Sequence, residues 1–273
     1  MEGGNEQRVQ QFVRDSKNIL KAYLNEYGLV IYSHKTTLRP NLVLFYGINP
    51  GYDPARHHRI RWKIRESLDY FADGFKVLEA EANTDRDKLP RPERLHEHLN
   101  LIDDQCWPYP SFTADYRMGR APYQQHARNL LRTIGRPDAL ITNLLFGQAA
   151  RTKDIPKNQP FDEACWKVHE LILQIAKPNV IVTCATVVDK RLRRQLGLNL
   201  VPPARDSGYG PPHARWTCKQ WEGTWRDEAT MERRIVVCQI PQMAFFDITA
   251  EYSRNSGALE WAKAVVQRAT EHP

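Results

Sequence analysis

A chain of 273 residues, 41% hydrophobic and 26% charged, can bury a sizeable core and has the composition of an ordinary globular protein. No apolar run approaches the ~20 residues of a membrane span, and Met1-Glu-Gly-Gly-Asn-Glu-Gln-Arg8 lacks a secretory apolar stretch, so a cytoplasmic location is expected. The formal charge of +7 and a pI near 9.2 favour a polyanionic partner.

Val9, Phe12, Val13, Leu20, Tyr23, Leu24 and Tyr27 recur at near-helical spacing, and Gly28 can stop a helix, so an amphipathic helix is expected over 7–27. Its role reads as structural cover. The apolar run Leu42-Val43-Leu44-Phe45-Tyr46 then predicts a strand buried on both faces, as in parallel sheets. Gly47-Ile48-Asn49-Pro50-Gly51 follows it directly, with a second turn signal at Asp53-Pro54. Pro50 and Gly51 force the chain to turn at the strand's carboxyl end, the edge at which open α/β sheets bind ligands. Asn49 is the side chain there able both to donate and to accept a hydrogen bond.

Residues 56–65 carry Arg56, Arg59, Arg61, Lys63 and Arg65, with His57, His58 and Trp62 among them. A solvated charge run is the plain reading. Immediately after a strand-end loop, the same residues suit phosphate contacts, with an aromatic ring to stack on a base. Residues 66–122 read as an excursion that reshapes one side of the pocket. It is helical at first, polar from 79 to 88, helical again from Pro90 to about Gln105, and irregular after Trp107-Pro108-Tyr109-Pro110.

Tyr123 to Ile134 predicts a helix closed by Gly135 and Pro137. Ala139 to Phe146 is a second buried strand with Thr142 and Asn143 in its middle, and a buried Asn needs a hydrogen-bond partner, internal or from a ligand. A helix over Phe161–Ala176, a strand over Asn179–Cys184 and a basic helix through Lys190, Arg191, Arg193 and Arg194 come next. Residues 201–212, rich in Pro and Gly, predict a loop, and Arg215 to Trp225 a hairpin or exposed strand. A fourth strand, Arg234–Ile240, breaks at Pro241, and a last helix runs from about Gly257 to Thr270. The five cysteines form no C-x-x-C pair, which argues against a disulfide framework, a zinc ribbon or an iron–sulfur cluster; His213 with Cys218 reads as structural. The alternation predicts one three-layer α/β/α domain over 1–273, with a mostly parallel central sheet of about four strands.

Gly47-Ile48-Asn49-Pro50-Gly51 after an apolar strand resembles motif one of the uracil-DNA glycosylase superfamily, closest to its mismatch-specific and single-strand-selective branches. The order of later elements agrees over roughly residues 40–265, with Asn143 in a later strand and the fourth strand ending where the family places motif two. The resemblance implies a DNA glycosylase that flips a pyrimidine and hydrolyses its glycosidic bond, with DNA as partner and neither cofactor nor metal. One departure stands out. Motif two usually opens on a polar residue before Pro, and here the stretch is Ile240-Pro241-Gln242-Met243-Ala244-Phe245.

Cleavage develops positive charge on the sugar and negative charge on the leaving base, so it needs a positioned water and donors aimed at the base. Asn49 has no useful basicity but can hold the water; Asp53 can share that work or simply open an Asp-Pro turn. Asn143 presents a donor and an acceptor in one plane, suited to the edge of a pyrimidine. Trp62 stands about where the family puts its stacking aromatic, with Tyr52 the competitor, and the amides of Ile48 and Tyr52 can meet the base. Gly51 replaces the bulky Tyr of strictly uracil-selective members and leaves room at the pyrimidine 5-position. Gln242, Met243 and Phe245 sit where a loop contacts DNA, with Met243 and Phe245 either wedging into the stack or capping a strand end. A catalytically inactive nucleic-acid-binding protein on the same fold is the alternative.

Overall fold

Asn41 fixes where the first strand begins. Its Nδ2 donates to the Asp138 carbonyl at 2.8 Å, its Oδ1 accepts from the Val43 N–H at 3.2 Å, and its own N–H donates to the Ala176 carbonyl at 2.7 Å. From there β1, Val43–Gly47, is buried at every position, as its apolar run demands. The computed structural model describes residues 2–31, 33, 35–47, 63–73, 122–147, 159–184, 186–211, 215–227, 232–243 and 246–271.

The helices among the described residues are α1 (Glu2–Ile19), α2 (Ile64–Asp73), α3 (Pro122–Thr133), α4 (Gln159–Ala176), α5 (Thr186–Leu196), α6 (Glu251–Asn255) and α7 (Ala258–Glu271). The remaining strands are β2 (Leu140–Asn143), β3 (Val180–Thr183), β4 (Asn199–Asp206), β5 (Thr217–Arg226) and β6 (Glu232–Gln239). They form a mixed six-stranded sheet in the order β2-β1-β3-β6-β5-β4. The chain divides into two compact units: residues 1–39, 49–120 and 140–175, and residues 40–48, 121–139 and 176–273.

In the second unit β1, β3 and β6 run parallel, with Tyr46 opposite Thr183 and Thr183 opposite Gln239 at their carboxyl ends. β5 and β4 then add antiparallel, so the sheet has six strands where composition predicted about four. Two misread stretches account for the difference. Residues 201–206 are strand, not loop: Pro202 and Pro203 lack the N–H that an inner strand must donate, but β4 is an edge strand whose pairing slips between Val201 and Arg205. The aromatic-rich stretch of β5 is an inner strand, not an exposed one. Trp221 and Trp225 are buried in it, the Trp221 Nε1–H donates to Gln239 Oε1 at 3.1 Å, and the Arg193 guanidinium lies 5.0 Å from the Trp221 ring.

In the first unit the expected helix over 7–27 ends earlier, at Ile19, and begins at Glu2. A 3-10 turn at Lys21–Tyr23 follows, and the chain then becomes extended, with Tyr27 bridging Lys63, Gly28 bridging Gly147 and Ile31 bridging Thr142. Leu20, Leu24, Val30 and Ile31 stay buried through this change, which is why the apolar spacing outruns the helix. α1 packs on α2 through an edge-to-face contact of Phe12 and Phe71, centroids 6.0 Å apart, and an ion pair of Lys17 with Asp69. The predicted segments between 74 and 121, including the helix from Pro90, lie outside the described residues.

Gly28 is where this unit tolerates least change. A Cβ there would run into the Phe146 carbonyl oxygen and the Ile64 side chain. Gly28→Ala is therefore expected to lose about 1–3 kcal/mol of unfolding free energy in urea titrations; wild-type stability would show that the 27–31 segment does not approach residue 146 this closely.

Candidate functional site

β2 is buried at all four positions, and its polar groups can be followed one by one. The Ile141 N–H donates to Ser33 Oγ at 3.0 Å, and Thr142 Oγ1 donates to the Val30 carbonyl at 2.5 Å. The 28–33 segment thus satisfies β2 with side chains and isolated bridges rather than as a regular strand. Asn143, the last residue of β2, is 4% exposed, and its Nδ2 has no hydrogen-bond partner. An amide donor removed from water and left unpaired costs about 1–3 kcal/mol, so a native chain that keeps one has a use for it.

The backbone that carries Asn143 rests on His169. This side chain projects from α4, is fully buried, and puts Nε2 3.0 Å from the Leu144 carbonyl. A carbonyl only accepts, so Nε2 carries the proton. The ring packs against Phe146, centroids 5.0 Å apart, and Trp166, 6.0 Å apart. Burial pushes the His169 pKa down to about 4, opposed in part by the carbonyls of Leu144 and Asn143. The imidazole is therefore neutral at ordinary pH and acts as a fixed support for the Asn143–Leu144 backbone.

In the second unit, the carboxyl ends of three parallel strands place Tyr46, Thr183 and Gln239 in one row. All three are buried, burial raises the Tyr46 hydroxyl well above its ordinary pKa, and Thr183 Oγ1 has no hydrogen-bond partner. Beyond β6, Ile240 is buried, and Gln242 is half-buried with its Oε1 shut from solvent and unpartnered. Met243 is fully buried. It caps the core here rather than offering a wedge to DNA, so the packing role is the one its side chain fills.

The free thiols of Cys165, Cys184, Cys218 and Cys238 are all buried, and burial pushes the Cys218 pKa up to about 12. None of these is a poised nucleophile. Among the described residues no group of three or more His, Cys, Asp or Glu side chains could hold a metal ion, and no helix is long and apolar enough to cross a membrane.

Of the residues singled out in the sequence, Ile48, Asn49, Gly51, Tyr52, Asp53, Arg56, His57, His58, Arg59, Arg61, Trp62 and Phe245 lie outside the described residues, as do His213 and Cys106. Lys63 is half-buried just ahead of α2, where its backbone N–H donates to Glu66 Oε2 at 2.7 Å and closes that helix end. Three further residues went unread in the sequence. His169 falls on the apolar stripe of α4 with Cys165, Val168, Ile172 and Leu173, a pattern that reads as core. His126 and Asp247 meet only in the folded chain. Compared with protein-family models and with curated proteins, the chain matches none.

His169 makes acid stability a test of this arrangement. The unfolded imidazole takes a proton near pH 6.5, whereas the folded one resists it down to about 4. Unfolded chains therefore bind the extra proton across that window, and stability falls as pH drops through it, by up to roughly 3 kcal/mol in all. His169→Gln, which keeps a donor for Leu144, is expected to flatten the decline in denaturation measured from pH 7 to pH 4; an unchanged slope would contradict the buried neutral ring.

Proposed function

We propose that the protein is a monofunctional DNA glycosylase on a three-layer α/β/α fold like that of uracil-DNA glycosylases. It flips an abnormal pyrimidine out of DNA and hydrolyses its glycosidic bond, leaving an abasic site. The observation that carries the reading is the unpaired Asn143 amide donor at the end of β2, in a chain whose β1 runs straight into Gly47-Ile48-Asn49-Pro50-Gly51. An amide in that position can donate to a pyrimidine carbonyl, and Asn49 can hold the attacking water. Asp53 shares the water, Trp62 or Tyr52 stacks on the base, and the basic run from Arg56 to Lys63 meets phosphates. Uracil is the default substrate of the resemblance. Gly51 leaves space for a bulkier 5-modified pyrimidine, of which a phage-type modified cytosine would make excision an antiviral defence rather than repair.

The second reading, a nucleic-acid-binding protein without catalysis, is favoured by the buried Ile240 ahead of Pro241, where the resemblance calls for a polar residue. The two separate in one assay. Duplex and single-stranded DNA carrying uracil, 5-hydroxymethylcytosine or its glucosylated form is incubated with the protein and then treated with alkali. Wild type is expected to give strand breaks on at least one substrate, and Asn49→Ala to slow them by about 100-fold or more. No breaks on any substrate, with DNA binding unaltered by Asn49→Ala, would favour the non-catalytic reading.

A further inference from the structure

Ile240-Pro241 leaves the end of β6 without a polar side chain of its own, yet the residues that follow are held by a tight set of polar contacts. His126 on α3 places Nδ1 2.7 Å from the Met243 carbonyl, and since that carbonyl only accepts, Nδ1 carries the proton. Nε2 of the same ring lies 3.9 Å from Asp247 Oδ2. Asp247 is fixed in turn. Its Oδ1 accepts from the N–H of Thr249 at 2.8 Å and from the Thr249 hydroxyl at 2.7 Å, and its own N–H donates to the Tyr252 hydroxyl at 2.7 Å. The Phe246 N–H donates to the Gln242 carbonyl at 3.0 Å. Tyr252 completes the support by packing against Phe246, centroids 5.8 Å apart, and Tyr209, 4.9 Å apart.

Both nitrogens of His126 face protein groups, so the ring has no free nitrogen with which to exchange a proton with a substrate. It is a brace. What it braces is the backbone at Gln242 and Met243, and Gln242 ends in an acceptor oxygen closed off from solvent with no donor opposite it.

We infer that His126 and Asp247 are positioning residues that hold Gln242 so that its amide oxygen accepts a hydrogen bond from an N–H of the bound pyrimidine. This rests on the glycosylase reading and gives Gln242 the polar contact that Ile240 does not supply. The donor is a ring N–H or an exocyclic amine. Gln242→Glu keeps an acceptor there, whereas Gln242→Ala removes it.

The experiment measures kcat, KM and thermal midpoint on whichever substrate wild type cleaves. Gln242→Ala is expected to lower kcat at least tenfold without lowering the midpoint, and Gln242→Glu to keep more activity than Gln242→Ala. His126→Ala is expected to fall similarly. His126→Asn, whose amide nitrogen can still donate to the Met243 carbonyl, is expected to recover most of the loss. Because the brace acts through Gln242, the His126→Ala/Gln242→Ala double variant is expected to be no slower than Gln242→Ala alone. Wild-type kcat and KM in Gln242→Ala would overturn the inference, as would two losses that multiply in the double variant. In either case the glycosylase reading stands; absence of excision by wild type itself sinks that reading and the inference together.

Discussion

A polar group taken out of water must find a partner inside the protein or be kept for something that arrives from outside. The end of β2 is built around that constraint. Ser33 takes up the Ile141 N–H, Val30 the Thr142 hydroxyl, and His169 the Leu144 carbonyl. Amid these satisfied neighbours the Asn143 Nδ2 has none. Gly28 lets the 27–31 segment come close enough to Phe146 for this arrangement to close, and Asn41 plays the matching part for β1 by anchoring its start. The sequence that leaves β1 therefore starts from a rigid strand, and the amide on β2 is held on a rigid backbone.

The buried titratable groups bear on which chemistry such a frame can support. Burial raises the Tyr46 hydroxyl and the Cys218 and Cys238 thiols, and it lowers His169, so each is neutral at ordinary pH. A thiolate nucleophile or a buried imidazole base is not available among them. Neutral hydrogen-bonding groups are, and hydrolysis by a positioned water through a dissociating glycosidic bond needs those rather than a strong base.

Much of this was legible from residue types alone. β1, β2, β3 and the apolar part of β6 announce themselves as continuous apolar runs, and their burial follows from that composition. β4 was not legible, because two prolines are a loop signal everywhere except at a sheet edge, and edge position is a property of the assembled sheet. β5 misled through its tryptophans, which look like surface ornaments until Gln239 and Arg193 are seen to engage Trp221. Asn143 stood out because an amide in an apolar strand has few explanations. His126 did not, since its partner Met243 is 117 positions away and local spacing carries no trace of the pairing. His169 was hidden for the opposite reason: its helical register matches the core so well that it reads as one more packed residue.

The central claim is that the Asn143 amide is unpaired in the protein because a base pairs with it. Asn143→Leu, close in size and without polar atoms, separates function from packing at that position. Thermal unfolding and base release are measured on the same preparation. The account predicts an unchanged or raised midpoint, since no satisfied bond is lost, together with a fall in base release of about 100-fold or more. A midpoint lowered by several degrees with base release at the wild-type rate would contradict it and make Asn143 a structural residue.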